Sequence, residues 1–150
     1  MFDKPIVCHT FMTAPSWEHF PHDADIGIRG FGISINEAFE QAALAMTAVI
    51  TNPNTIANNE MIEIVCEEPD EELLFVDWLN ALVYEMATRN MLFGKYQVSV
   101  INGSLQGQAW GEKIDILKHE PIVEVKGATY TSLSVKQDDS SWIAQCVIDV

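Results

Sequence analysis

Two long stretches with helical apolar spacing, set among short runs in which apolar and polar residues alternate, confine this chain to a mixed architecture. In the first, Ile35, Ala38, Phe39, Ala42, Met46, Val49 and Ile50 recur at helical intervals, which lines them along one face of a helix. Ser34 and Glu37 stand where a capping box places a hydroxyl acceptor and a carboxylate reaching back to the serine amide. Asn52-Pro53 ends the pattern, because proline has no N–H and collides with the preceding turn. The second stretch, residues 73–87, is apolar nearly all round and follows Pro69-Asp70-Glu71-Glu72, an acidic start suited to the positive end of a helix dipole. A helix with no polar face belongs at the centre of a core, and the second helix is expected there.

The remaining segments have a period of two. A short strand is expected from Asp25, carried by Ile26 and Ile28, and another over Ile62, Ile64 and Cys66, with Glu63 on its wetter side. After Asn90, Tyr96, Val98 and Val100 alternate, Asn102-Gly103 signals a tight hairpin, and residues 105–110 return. Further strands are expected over 122–125, 130–135 and 141–149, the last two joined through residues 137–140. The expected fold class is α+β: a single-domain sandwich of a largely antiparallel sheet with two main helices. Residues 1–15 lack sustained periodicity and form an N-terminal extension, either flexible or adding an edge strand, ahead of a domain over 16–150.

A chain of 150 residues with 48% apolar content supports one core and not two comfortable ones. Eight basic residues against 22 acidic ones leave a formal charge of −14, which repels a phosphate backbone, so direct nucleic-acid binding is not expected. Cys8, Cys66 and Cys146 are odd in number and form no Cys-x-x-Cys pattern, which argues against a disulfide framework or structural zinc and for a reducing compartment. No segment approaches the ~20 apolar residues of a membrane span, and the first residues are too polar for a secretory signal. The expected location is the cytoplasm.

Against this background a set of residues carries a likeness. Phe20 through Gly32, including His22-Asp23-Ala24-Asp25, is followed in order by Asn36-Glu37-Ala38-Phe39, Trp78-Leu79-Asn80, Gly111-Glu112 with Asp115 and His119, Val123-Glu124-Val125-Lys126 with Ala128-Thr129-Tyr130, and Val147-Ile148-Asp149-Val150. From about Trp17 to Val150 the chain resembles the archease family. That resemblance implies a protein cofactor rather than an enzyme. Such proteins assist the RtcB-type RNA-splicing ligase of tRNA splicing and RNA repair, promoting its guanylylation and multiple turnover. It also implies a divalent cation, commonly calcium, with Asp25, Asp149 and Val150 as the ligands here. The sequence departs from the pattern at Asp23, where the family usually has threonine, and at Thr131, where a histidine often follows the equivalent of Tyr130.

The chemistry of those residues agrees with the implication. Carboxylate and main-chain oxygens suit hard ions such as calcium, magnesium or manganese, whereas zinc favours Cys or more His. Two carboxylates at ~4 Å repel by about 4 kcal/mol at an effective dielectric near 20, which a cation relieves. Both aspartates reach the same edge of a sheet only if their strands run antiparallel. Asp23 is either an added carboxylate or a solvent-facing or capping one. His19 and His22, near Asp23 and Asp25, have a spacing that could ligate a transition metal, a weaker alternative. Asp23-Ala24-Asp25 also has the look of the paired aspartates of a metal-dependent phosphatase-like hydrolase, but the chain is short for such a core and lacks the expected downstream threonine. A general chaperone or adaptor is the third reading. Arg29, Lys126, Glu124, His119 and Asp115 are left between partner contact and internal bonding, and Phe75, Trp78 and Tyr84 are expected in the core.

Overall fold

The structure, a computed structural model, describes residues 14–150; most of the expected N-terminal extension, with Cys8, lies outside them. Among the described residues, eight strands form two sheets in which every pairing is antiparallel. In the larger, β1 (Ser16–His22), β2 (Asp25–Gly32), β8 (Ser141–Asp149) and β6 (Gly127–Ala128) lie in that order, with β7 (Ser134–Asp138) also paired to β8. In the smaller, β5 (Ser104–Lys113) lies between β3 (Glu60–Glu67) and β4 (Met91–Ile101). The α+β class expected from the sequence is the one observed.

Helix α1 (Ile35–Ile50) begins at Ser34, whose hydroxyl accepts the Glu37 N–H at 3.2 Å. The Glu37 carboxylate reaches back to the Ile33 N–H at 2.9 Å, one residue before the serine amide expected of it. Helix α2 (Glu71–Arg89) begins at Asp70, whose carboxylate accepts from the N–H groups of Glu72 and Leu73. It ends at Asn90 in the left-handed region at φ 56°, where asparagine is better tolerated than most residues.

The more enclosed helix is α1, not α2 as the sequence suggested. Helix α1 packs against β2 and β8 of one sheet and β4 of the other, and Ala38, Phe39, Ala42, Ala43, Ala45 and Met46 are fully buried. Helix α2 buries Phe75, Trp78, Leu79 and Leu82 but leaves Leu73 and Tyr84 at the surface. Tyr84, 64% exposed, is therefore no core residue. Apolar content by itself does not tell which turns of a helix neighbours will cover. The helices are tied where the Trp78 indole N–H donates to the Phe39 carbonyl at 3.2 Å. A second buried tie joins α1 to β4: the Thr47 hydroxyl donates to the Phe93 carbonyl at 2.9 Å and lies 2.6 Å from the Tyr96 hydroxyl.

Several local expectations need correction. Residues 122–125 form no strand. Ile122 donates its N–H to the Ile50 carbonyl at 2.8 Å, and Val125 is buried. Residues 130–132 form a turn, with Ser132 at φ 55°, and β7 starts only at Ser134. Strand β1 and the four-residue α3 (Ile116–His119) were not expected as distinct elements. The Asn102-Gly103 hairpin stands as expected, with φ of 50° and 79°, the left-handed pair that such a turn requires.

Candidate functional site

The larger sheet brings the candidate ligands to one edge. Across β2 and β8, Gly27 pairs with Val147 and Ile26 with Ile148. Continuing that register by one residue sets Asp25, the first residue of β2, against Asp149, the last of β8. On the other side of β2, His22 pairs with Asp25, and on the other side of β8, Gly127 pairs with Asp149. His22, Asp25, Asp149 and Gly127 thus make a row across four strands. Residues opposed in this way project to the same face of a sheet. The antiparallel relation required by the sequence argument is present.

Asp25 and Val150 are half-buried and Asp149 is exposed. The Asp149 carbonyl accepts the Lys126 N–H at 2.8 Å, which anchors the chain leading into β6 to the end of β8. Val150 packs in part against the core. Asp23 sits in the two-residue turn between β1 and β2 at φ 51°, its side chain 94% exposed. It is a solvated turn carboxylate, 3.9 Å from His22 Nδ1. That nitrogen is screened from solvent and has no hydrogen-bond partner among the described residues.

Among the described residues, no three His, Cys, Asp or Glu side chains stand together as a ready metal cluster. Asp25 and Asp149 would need main-chain oxygen from Val150 and water to complete a shell, and calcium and magnesium sites commonly use such mixed oxygen ligands. The donor set fits a hard cation. It does not fit the transition-metal alternative: His19 and His22, three apart on a strand, point to opposite faces, and His19 Nε2 lies 2.7 Å from the Ala45 carbonyl.

Most of the undecided polar residues are internal. Glu112 Oε2 accepts from the Ala57 N–H at 2.9 Å, Lys118 Nζ at 2.7 Å and His119 Nε2 at 2.8 Å. These bonds, the first above all, hold the Glu112 carboxyl down at about 2. His119, its side chain fully buried, accepts the Asp115 N–H on Nδ1 at 2.9 Å, which leaves Nε2 to carry the proton donated to Glu112. Asp115 in turn caps α3. Arg29 pairs with Glu18, donates to Gln145 Oε1 at 2.8 Å and lies 4.5 Å over the Phe20 ring. Burial pushes the Cys66 thiol up to about 11 and the Cys146 thiol up to about 12. Neither is a ready nucleophile.

Sequence reasoning missed an apolar groove of about 420 Å³ beside Val83, Met86, Leu92, Ile122 and Val125. It also missed the Glu112–His119 clasp that pins the chain on its way to Lys126 and the site edge. Glu112, Asp115 and His119 carried no periodic pattern; the resemblance grouped them, and only their contacts show that they bond to one another.

Fold and site define a class of protein: a two-sheet, all-antiparallel α+β domain that gathers aspartates from the ends of two adjacent strands at one sheet edge. Residues 17–150 match the Archease protein family (MTH1598/TM1083), and the chain belongs to that family. It is 41% identical over 139 residues to protein archease of Pyrococcus furiosus, covering 89% of this chain and 98% of the relative. It is 38% identical over 136 residues to protein archease of Sulfurisphaera tokodaii, with the same coverage. The solution structure of Methanobacterium thermoautotrophicum protein 1598 superposes with a TM-score of 0.76 at 33% identity, covering 90% of this chain and 99% of that one. The crystal structure of an archease, possible chaperone, from Thermotoga maritima shares the fold, with a TM-score of 0.55 at 18% identity, covering 89% and 96%.

Proposed function

We propose that this chain is a protein cofactor of an RtcB-type RNA ligase, promoting the ligase's guanylylation and repeated turnover, and that it performs no chemistry of its own. Membership of the archease family supports the role. The register of β2 on β8, which sets Asp25 beside Asp149, is the observation that carries the site. Asp25, Asp149 and the main-chain oxygens of Val150 would hold a divalent cation, calcium first and magnesium or manganese as substitutes. When bound, that ion supplies fixed positive charge to an otherwise repulsive carboxylate edge. The residues themselves fix the edge in place. The Lys126–Asp149 hydrogen bond and the β6 pairing hold the end of β8, and the Glu112–His119 clasp secures the preceding segment. The strongly acidic surface suits a protein partner carrying basic residues better than RNA. Cytoplasmic residence and the absence of a membrane partner belong to the same reading, and no helix of the described residues is long and apolar enough to cross a membrane.

A reconstituted ligation reaction with this protein at sub-stoichiometric amounts tests the proposal. It should raise ligase guanylylation and the number of turnovers, and Asp25→Ala or Asp149→Ala should remove the stimulation. Undiminished stimulation by both variants sinks the metal-edge reading, and no stimulation by the wild type sinks the cofactor role. Rescue of unfolded clients without any effect on the ligase would instead favour a chaperone, and turnover of phosphoesters with magnesium a hydrolase.

A further inference from the structure

An exposed sheet edge is a row of unpaired N–H and C=O groups, and folded proteins usually close it. Three strands here have edge N–H groups closed by named side chains. On β4, the N–H groups of Val98 and Val100 donate to Glu40 Oε2 at 2.8 Å and Asn36 Oδ1 at 2.9 Å, both from α1. On β6, the Ala128 N–H donates to Asn80 Oδ1 at 2.8 Å, and on β7 the Val135 N–H donates to Glu72 Oε2 at 3.3 Å, both from α2. Strand β1 is interrupted by Pro21, which has no N–H to offer.

Strand β3 is different. It is eight residues long, borders only β5, and receives on its other side no hydrogen bond from any described residue. Its outward-facing side chains alternate as Met61, Glu63, Val65 and Glu67, all exposed, Val65 by 67%. Asp77 of α2 adds negative charge at the end of the strand, where hydrogen bonding to it pushes the Glu68 carboxyl above the usual carboxylate range.

Going beyond the ligase-cofactor reading, we propose that the outer edge of β3, which no described residue pairs, is a strand-addition site for an extended, basic segment of a partner protein. Main-chain hydrogen bonds along the edge supply the attachment. Alternating side chains supply the choice: lysine or arginine opposite Glu63 and Glu67, and an apolar β-branched residue opposite Val65. Charge discriminates against a second copy of this chain, which would lay glutamates beside glutamates between two molecules of formal charge −14. It also discriminates against the chain's own first residues, because residues 1–13 pair one lysine with one aspartate and carry no alternating basic pattern.

The test uses the full-length protein, backbone amide NMR and a seven-residue peptide with lysine at its second and sixth positions, valine at its fourth and threonine elsewhere, together with a twin N-methylated at every second residue. The unmodified peptide should shift and protect alternate amides of β3, and the methylated twin, equal in charge but unable to complete the ladder, should bind at least about tenfold more weakly. The double variant Glu63→Lys, Glu67→Lys should weaken the unmodified peptide by at least about tenfold while leaving the β3–β5 cross-peaks of the folded sheet in place. Equal binding of the two peptides, or shifts spread over the acidic surface, would mean simple charge attraction and overturns the proposal. Binding by neither peptide overturns it as well. So does slow exchange of alternate β3 amides before any peptide is added, because the edge would then already be covered.

Discussion

One oxygen of Glu112 gathers three donors from two separate parts of the chain, Ala57 and the adjacent pair Lys118 and His119, so its ionisation is linked to folding. Its carboxyl titrates near 2 in the folded protein, below the ordinary value of 4.5. A lowered folded value adds stability that is fully present above the ordinary value and is lost as pH falls toward the folded one. Wild-type stability should therefore decline between about pH 4.5 and 2 with a component that Glu112→Gln lacks, measured as a shallower fall in urea-midpoint with pH for the variant. Gly30 makes the opposite kind of prediction, since a Cβ there would stand 2.2 Å from the Ala38 carbonyl oxygen and 2.4 Å from the Ala42 nitrogen. Gly30→Ala must push α1 away from β2 and should cost about 1–3 kcal/mol or more in denaturant unfolding. At this scale the sequence marked Asp25, Asp149, Glu112 and His119 as residues of interest. It could not separate an aspartate at a shared edge from a glutamate in an internal clasp, because that difference consists of contacts between distant positions.

At the scale of elements, the helices do two jobs: they fill the core and they close the sheet edges with Asn36, Glu40, Glu72 and Asn80. Glu40 does this at a cost, for burial pushes its carboxyl above the usual range despite the bond from Val98. A raised folded value contributes stability below the ordinary carboxylate range that is lost as pH rises. Glu40→Gln keeps an acceptor for Val98 and should be more stable than wild type at pH 7, with the advantage vanishing in acid, as thermal unfolding at the two pH values would show. Asn36→Leu removes an acceptor from a part-buried N–H and should cost about 1–3 kcal/mol. Both helices and the central hairpin were legible because long apolar periodicity and a left-handed turn pair are local signals. Residues 122–125 were misread because a short apolar run has the same composition whether it pairs in a ladder or, as here, packs against the end of α1.

For the whole molecule, the balance of eight basic and 22 acidic residues means that self-repulsion opposes compactness. Sodium chloride raised from about 0.01 to 0.15 M shortens the screening length from ~30 to ~8 Å and should raise the thermal midpoint. Calcium compared at equal ionic strength should add a further increment, about 2.7 kcal/mol at a hundredfold excess over its dissociation constant, which Asp25→Ala and Asp149→Ala lose. Equal increments in wild type and variants would place the ion elsewhere on the acidic surface. The sequence by itself determined the α+β class, both main helices with the Ser34 cap of the first, the tight hairpin and the residues worth testing, because periodicity, capping and turn chemistry act within a few residues. Only the tertiary structure decided that α1 and not α2 is the enclosed helix, that Glu112 and His119 clasp each other, that Asp25 stands in register with Asp149, and that no described residue covers the outer edge of β3. Each of those depends on which distant segments are neighbours, and that is settled by the joint packing of two sheets on two helices, a property that no window of sequence contains.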